Sequence, residues 1–224
     1  MRKSPIITID GPAGAGKSTI SRLLAERLSF IYLDTGALYR AVAYHLLEKG
    51  CSGDTERLAG FCRSIRVELK DLAGRLHVFV NGEDVTLKIR TEEIGLLASR
   101  ISAVPVVRAT LLAIQRSAAA AGGVVAEGRD MGSVVFPDAE IKFFLDASVR
   151  ERAKRRYREL SEKGENASLQ NVEEDILLRD RQDRERPVSP LIAAPDAVHI
   201  DSTDKTLLQV VNIMMGVIDG KRNS

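Results

Sequence analysis

Apolar positions recur along this chain in two rhythms. Near both ends, short β-branched runs alternate with stretches whose apolar residues fall three and four apart. Pro5-Ile-Ile-Thr-Ile-Asp10 reads as a buried parallel strand, and residues 19–28 carry Ile20, Leu23, Leu24 and Leu28 at helical spacing. Residues 31–33 predict a second strand, after which Asp34 or Thr35 caps a helix running to about residue 48. Residues 123–126, 141–145 and 197–200 predict three more strands, and 207–218 a closing helix. Strands separated by helices imply an α/β fold: a mainly parallel five-stranded sheet covered on both faces, in three layers.

The middle of the chain changes period. Ile65-Arg-Val-Glu-Leu69 and Leu76-His-Val-Phe-Val80 alternate apolar and polar residues, and Asn81-Gly82 followed by Glu83-Asp-Val85 is a strong hairpin signal. Alternation means one buried and one wet face, so residues 63–88 read as an inserted antiparallel lobe. Two helices are predicted near residues 91–102 and 104–121. No repeat or low-complexity stretch interrupts this plan.

Between the first strand and first helix lies Gly11-Pro-Ala-Gly-Ala-Gly-Lys-Ser18, a G-x-x-x-x-G-K-[ST] loop. Its glycines let successive N–H groups converge on phosphate oxygens, and the helix N-terminus adds partial positive charge. Gly11, Pro12, Ala13, Gly14, Ala15, Gly16, Lys17, Ser18 and Thr19 are the candidate contacts to the phosphates of a nucleoside triphosphate. Lys17 would reach the β- and γ-phosphates, and the Ser18 hydroxyl would hold Mg²⁺.

Bulk composition narrows the partners. The 224 residues are 44% hydrophobic and 29% charged, as in ordinary globular proteins. A net charge of +2 argues against binding nucleic acid through overall charge. Cys51 and Cys62 form neither a disulfide framework nor a metal motif. With no signal-peptide pattern and no apolar stretch of about 18 residues, a soluble cytoplasmic protein without a membrane partner is expected.

The basic charge is concentrated. Arg150-Glu-Arg-Ala-Lys-Arg-Arg-Tyr-Arg158 holds six basic residues in nine, with Arg152, Arg155 and Arg156 on one helix face. A polar segment, residues 162–166, follows as a loop. Arg179, Asp183 and Arg186 fall at i, i+4 and i+7 before Pro187 ends the helix. The alternative is a solvated face laced with ion pairs. Arginine suits bidentate phosphate clamping, and both clusters accompany a phosphate loop. Glu127-Gly-Arg-Asp-Met-Gly132 follows the third strand, so Arg129 and Asp130 stand where open α/β sheets bind ligands. A local turn is the alternative there. His45, His77 and His199 are scattered, and no nucleophile set is visible.

Ile7-Thr-Ile-Asp-Gly-Pro-Ala-Gly-Ala-Gly-Lys-Ser18, Leu33-Asp-Thr-Gly-Ala-Leu-Tyr-Arg40, Ile89-Arg-Thr91, Glu127-Gly-Arg-Asp-Met-Gly-Ser-Val-Val-Phe-Pro-Asp138 and Arg179-Asp-Arg-Gln-Asp-Arg184 together resemble the bacterial cytidylate kinase family. The resemblance covers essentially the whole chain, and its second and fourth motifs are more specific than the phosphate loop. It implies direct in-line transfer of the γ-phosphoryl of ATP to CMP or dCMP with Mg²⁺, by a monomer. It further implies a core of residues 1–34, 103–150 and 170–224, a monophosphate-binding domain at 35–102 and a lid at 151–169. Position by position, it assigns Thr35, Arg40, Arg129 and Arg186 to the acceptor phosphate. Ser99, Arg108 and Asp130 go to cytosine, and Arg179 and Asp183 to the sugar. Arg152, Arg155 and Arg156 go to the lid over ATP. Lys17, the lid arginines, Arg129 and Arg186 would supply the catalytic positive charge.

Two rivals remain at this point. One is a kinase of another small acceptor, a different nucleoside monophosphate or shikimate. The other is a nucleotide-binding switch or RNA binder. Against RNA binding, aromatics make up only 4% of the chain and tryptophan is absent.

Overall fold

The computed structural model describes residues 4–50, 55–73, 75–162 and 164–222; Cys51 and residue 163 of the 162–166 loop lie outside them. In chain order the elements are β1 (Ile6–Asp10), α1 (Lys17–Leu28), β2 (Ile31–Asp34), α2 (Thr35–Glu48) and α3 (Thr55–Ser64). There follow β3 (Val67–Leu72), β4 (Arg75–Val80), β5 (Glu83–Asp84), α4 (Glu92–Ile101) and α5 (Pro105–Ala118). The chain continues through β6 (Val124–Gly128), β7 (Ile141–Asp146), α6 (Val149–Glu162), α7 (Leu169–Glu185), β8 (Val198–Asp201) and α8 (Leu207–Arg222).

The main sheet is parallel, in the order β2-β6-β1-β7-β8. Alternate residues of β6 face different layers, as the strand period requires. Val125 packs with Ile7, Ile9 and residues of α1 and α8. Val124 and Ala126 pack with Leu33, Val135 and the flank of α5. Fully burying each of the Val, Leu and Ile side chains contributes about 1.5–3 kcal/mol. The arrangement aligns the carboxyl ends of β1, β2 and β6, where ligands bind in such sheets. Gly11 turns the chain out of β1 at φ +150°, where a Cβ would lie 1.9 Å from the Leu145 carbonyl oxygen.

The inserted lobe is a second, antiparallel sheet in the order β3-β4-β5. Asn81 and Gly82 make its predicted tight turn with φ of 50° and 88°. The first strand starts two residues later than the alternation suggests. Ile65 instead donates its N–H to Phe61 O at 3.0 Å and closes α3, a helix the sequence reading did not anticipate. Val67, Val78 and Val80 of this sheet share one core with α2, α4 and α5. A separate small core joins Ala153 and Leu160 of α6 to Val172 and Ile176 of α7. Thus the first half of α7, which the resemblance gives to the core, packs on the lid helix. Among the described residues, no single helix is long and apolar enough to cross a membrane.

Candidate active site

A cleft of about 1040 Å³ runs from the phosphate loop to the ends of α4 and α5. On the loop side, Gly16 caps α1 in a left-handed conformation, and among the described residues no side-chain cap hydrogen bond reaches its first-turn N–H groups. Those donors, with the helix dipole, are free for an anion. Lys17 Nζ donates to Pro12 O at 2.7 Å. Burial, and then the nearby Arg129, hold the Lys17 ammonium down to about 7. A phosphate beside it would favour the charged form.

Arg152, Arg155 and Arg156 of α6 point to different partners. Arg152 does not line the cleft but lies beneath the loop, only 2% exposed. It donates to Ala13 O at 3.0 Å and Ala147 O at 2.9 Å, and grips Asp180 bidentately at 3.0 and 2.6 Å. The structure therefore places Arg152, expected beside ATP, beneath the loop and outside the cleft lining, with its donors engaged by Ala13 O, Ala147 O and Asp180. Arg155 donates to Ser202 O at 2.7 Å and Ala15 O at 3.4 Å, bracing the loop from the cleft side. Arg156 reaches across to Glu92 at 3.6 Å.

The far wall is built from α5, the segment after β6 and the end of α7. Arg108 pairs through Nη2 with Asp130 Oδ2 and donates through Nη1 to Ser102 O at 3.1 Å. Arg186 places Nη2 3.7 Å from Asp130 Oδ1 and donates through Nη1 to Ser102 Oγ at 3.3 Å. Burial lifts the Asp130 carboxyl above its usual range, against the pull of both arginines. Arg186 sits one residue beyond α7 with extended backbone, as a residue before proline prefers, so the turn rather than the helix face aims it. Arg129 Nε donates to Asp183 Oδ2 at 2.7 Å, whereas Arg179 lies 3.5 Å from Glu92. Thr35 Oγ1 donates to Glu127 O at 2.6 Å, and Arg40 donates to Asp34 Oδ2 at 2.7 Å. Ser99 lines the same wall.

A family model described as cytidylate kinase matches residues 7–220. The chain belongs to the cytidylate kinase family. Among its relatives, a protein named cytidylate kinase from Citrifermentans bemidjiense is 51% identical over 214 residues, covering 95% of this chain and 92% of the relative. One of the same name from Geobacter sulfurreducens is 49% identical, with 97% and 94% covered. Another from Chromobacterium violaceum is 47% identical, with 98% of both covered. The chain is therefore a nucleoside monophosphate kinase, and the cleft is its candidate active site.

Within this kinase cleft, three functional candidates escaped the sequence reading of single residues. Arg90 donates to Asp34 Oδ2 at 3.0 Å beside Arg40, although its motif was visible. Glu92 faces two arginines across the cleft. Glu127, the penultimate residue of β6, lies beside Ser18: Oε1 accepts from the Tyr32 hydroxyl at 2.5 Å, while the buried Oε2 has no hydrogen-bond partner among the described residues. Its position at the carboxyl end of a strand next to β1 was the available signal. A hydroxyl and an unpartnered carboxylate oxygen are hard donors that fit Mg²⁺.

Charge pairing makes the site sensitive to acid. Burial raises the Asp183 pKa, but Arg129 and then Arg186 outweigh it, and the carboxyl ends below its usual 3.8. A carboxylate depressed in the folded state stabilises above its unfolded pKa, and that stability disappears as pH falls through the folded value. Between pH ~5 and ~3 the parent protein should therefore lose stability more steeply than Asp183→Asn. Equal slopes in denaturant titrations would remove Asp183 from the acid response.

Proposed function

We propose that this cleft binds ATP at the phosphate loop and CMP or dCMP at the far wall, and transfers the γ-phosphoryl directly between them. The observation that carries the reading is the cleft's continuity: the anion-receiving loop and the Asp130–Arg108–Arg186 cluster face one space. Arginine only donates hydrogen bonds, so both Asp130 oxygens act as acceptors, with lone pairs left over. That suits the N4 amine of cytosine, while Arg108 donates to N3 or O2 and Ser99 borders the base. Asp183 and Arg179 border the sugar. Thr35, Arg40, Arg129 and Arg186 hold the acceptor phosphate.

No general base is needed. The second pKa of the acceptor phosphate is about 6, so it is largely dianionic at neutral pH. The protein's work is to align it and offset charge. Lys17 and Arg129 meet the transferring group from opposite walls, and Arg155 and Arg156 add charge from the lid. Packing α6 and α7 over the cleft keeps water from serving as acceptor. Ser18 and Glu127 would hold Mg²⁺, which when bound supplies positive charge to the phosphate oxygens. By family resemblance, the chain acts as a cytoplasmic monomer without nucleic-acid or membrane partners.

One coupled assay tests this, with ATP and Mg²⁺ against CMP, dCMP, UMP, AMP, GMP and shikimate. CMP and dCMP should lead. Equal turnover of UMP would remove Asp130 from base reading, and no turnover with any acceptor would overturn the transfer itself.

A further inference from the structure

We infer that Asp10 is a positioning residue for acceptor selectivity, acting by holding the turn that presents Arg129 and Asp130. The inference rests on the assignment of those two residues to the acceptor. Asp10 is the last residue of β1, immediately before the phosphate loop, and is buried. Its Oδ1 accepts from Met131 N at 2.8 Å and its Oδ2 from Gly132 N at 2.8 Å. Those donors open a single π-helical turn, Met131–Val135, whose preceding residue is Asp130. First-turn N–H groups have no partner inside such a turn. Asp10 supplies the partners, one oxygen to each.

The rest of the turn is held as tightly. Arg116 of α5 donates to Val135 O at 3.0 Å and Val134 O at 3.2 Å, closing the opposite end. Gly132 lies so close to β1 that a Cβ there would come within 2.9 Å of Thr8 Oγ1. Arg129 and Asp130 therefore project from a segment fixed to the strand that also carries the phosphate loop. Burial pushes Asp10 up to about 6 even with two N–H partners. An apolar setting penalises the charge, yet only an ionised carboxylate offers an acceptor oxygen to both N–H groups without tying one to a proton.

Asparagine at this position would turn an amide N–H₂ toward one of the two backbone donors. One hydrogen bond is lost, and the start of the turn, next to Asp130, is held less firmly while Arg116 still holds its far end. The phosphate loop keeps its own bracing from Arg152 and Arg155. Asp10→Asn should raise KM for CMP about tenfold and narrow the CMP-to-UMP ratio of kcat/KM about tenfold, while KM for ATP moves less than about threefold. Gly132→Ala presses on the same turn from Thr8 without touching the carboxylate, and should give the same split.

Asp130→Asn, measured beside them, separates the inference from its basis. If Asp130→Asn narrows the ratio while Asp10→Asn and Gly132→Ala leave it at the parent value, the inference falls and the base-reading assignment stands. Equal changes in KM for ATP and CMP in the two turn variants would also overturn it, as a merely structural role predicts. If Asp130→Asn itself leaves the ratio intact, the assignment fails and takes the inference with it. Should Asp10→Asn be insoluble, Gly132→Ala decides alone.

Discussion

Arg129→Ala should lower kcat/KM for CMP by about 10²–10³-fold while ATP affinity stays within about threefold of the parent. The guanidinium follows the carboxyl end of β6 on the far wall of the cleft and is aimed by its 2.7 Å bond to Asp183. A donor held in advance against developing charge loses that much when removed, since water cannot replace it in a closed site. ATP affinity is spared for a physical reason. Arg129 is second only to burial in depressing the Lys17 ammonium, so its removal leaves Lys17 more fully charged. The variant also leaves the buried Asp183 carboxylate without its closest guanidinium, at a cost of about 3 kcal/mol. The double variant Arg129→Ala/Asp183→Asn should regain that stability without regaining transfer. Steady-state kinetics with CMP and calorimetric titration with ATP decide the matter. Equal losses on both substrates would move Arg129 out of the acceptor site.

Asp130→Asn should reduce the preference for CMP over UMP by about 10²-fold. Cytosine presents an amine at position 4, where uracil presents a carbonyl. Against the Asp130 carboxylate that carbonyl would set acceptor against acceptor and leave a buried group unpaired, the situation in which hydrogen-bonding sites discriminate most strongly. Asparagine offers a donor as well as an acceptor, and so removes the penalty on uracil. The change also weakens the pairing with Arg108 and Arg186, so CMP turnover itself should fall. The discriminating quantity is the ratio of the two kcat/KM values. A parent-like ratio would show that cytosine is read elsewhere.

Much of this protein is written locally. Residues 11–18 spell a loop whose conformation depends on its own glycines and the helix that follows, so it was legible without any partner. Asn81-Gly82 announced its turn because both residues tolerate positive φ. The parallel sheet followed from strands spaced by helices. By contrast, α3 was missed, and the lobe's first strand was placed two residues early, because a short alternating run does not reveal that Ile65 still closes a helix.

The sequence by itself determined the phosphate-loop signature, the fold class and, through its longer motifs, the family. Only the tertiary structure decided which charges meet. Helical spacing put Arg152, Arg155 and Arg156 on one face, yet Arg152 turned beneath the loop to Asp180 while Arg156 crossed to Glu92. Spacing also linked Arg179 with Asp183, but Asp183 took Arg129 from the segment after β6 and Arg179 went to Glu92. Asp10 looked like a strand-end residue until the fold set Met131 and Gly132 against it. Local periodicity fixes the direction of a side chain relative to its own backbone. The partner it finds across many residues depends on how the layers pack and which buried charge is left to be matched.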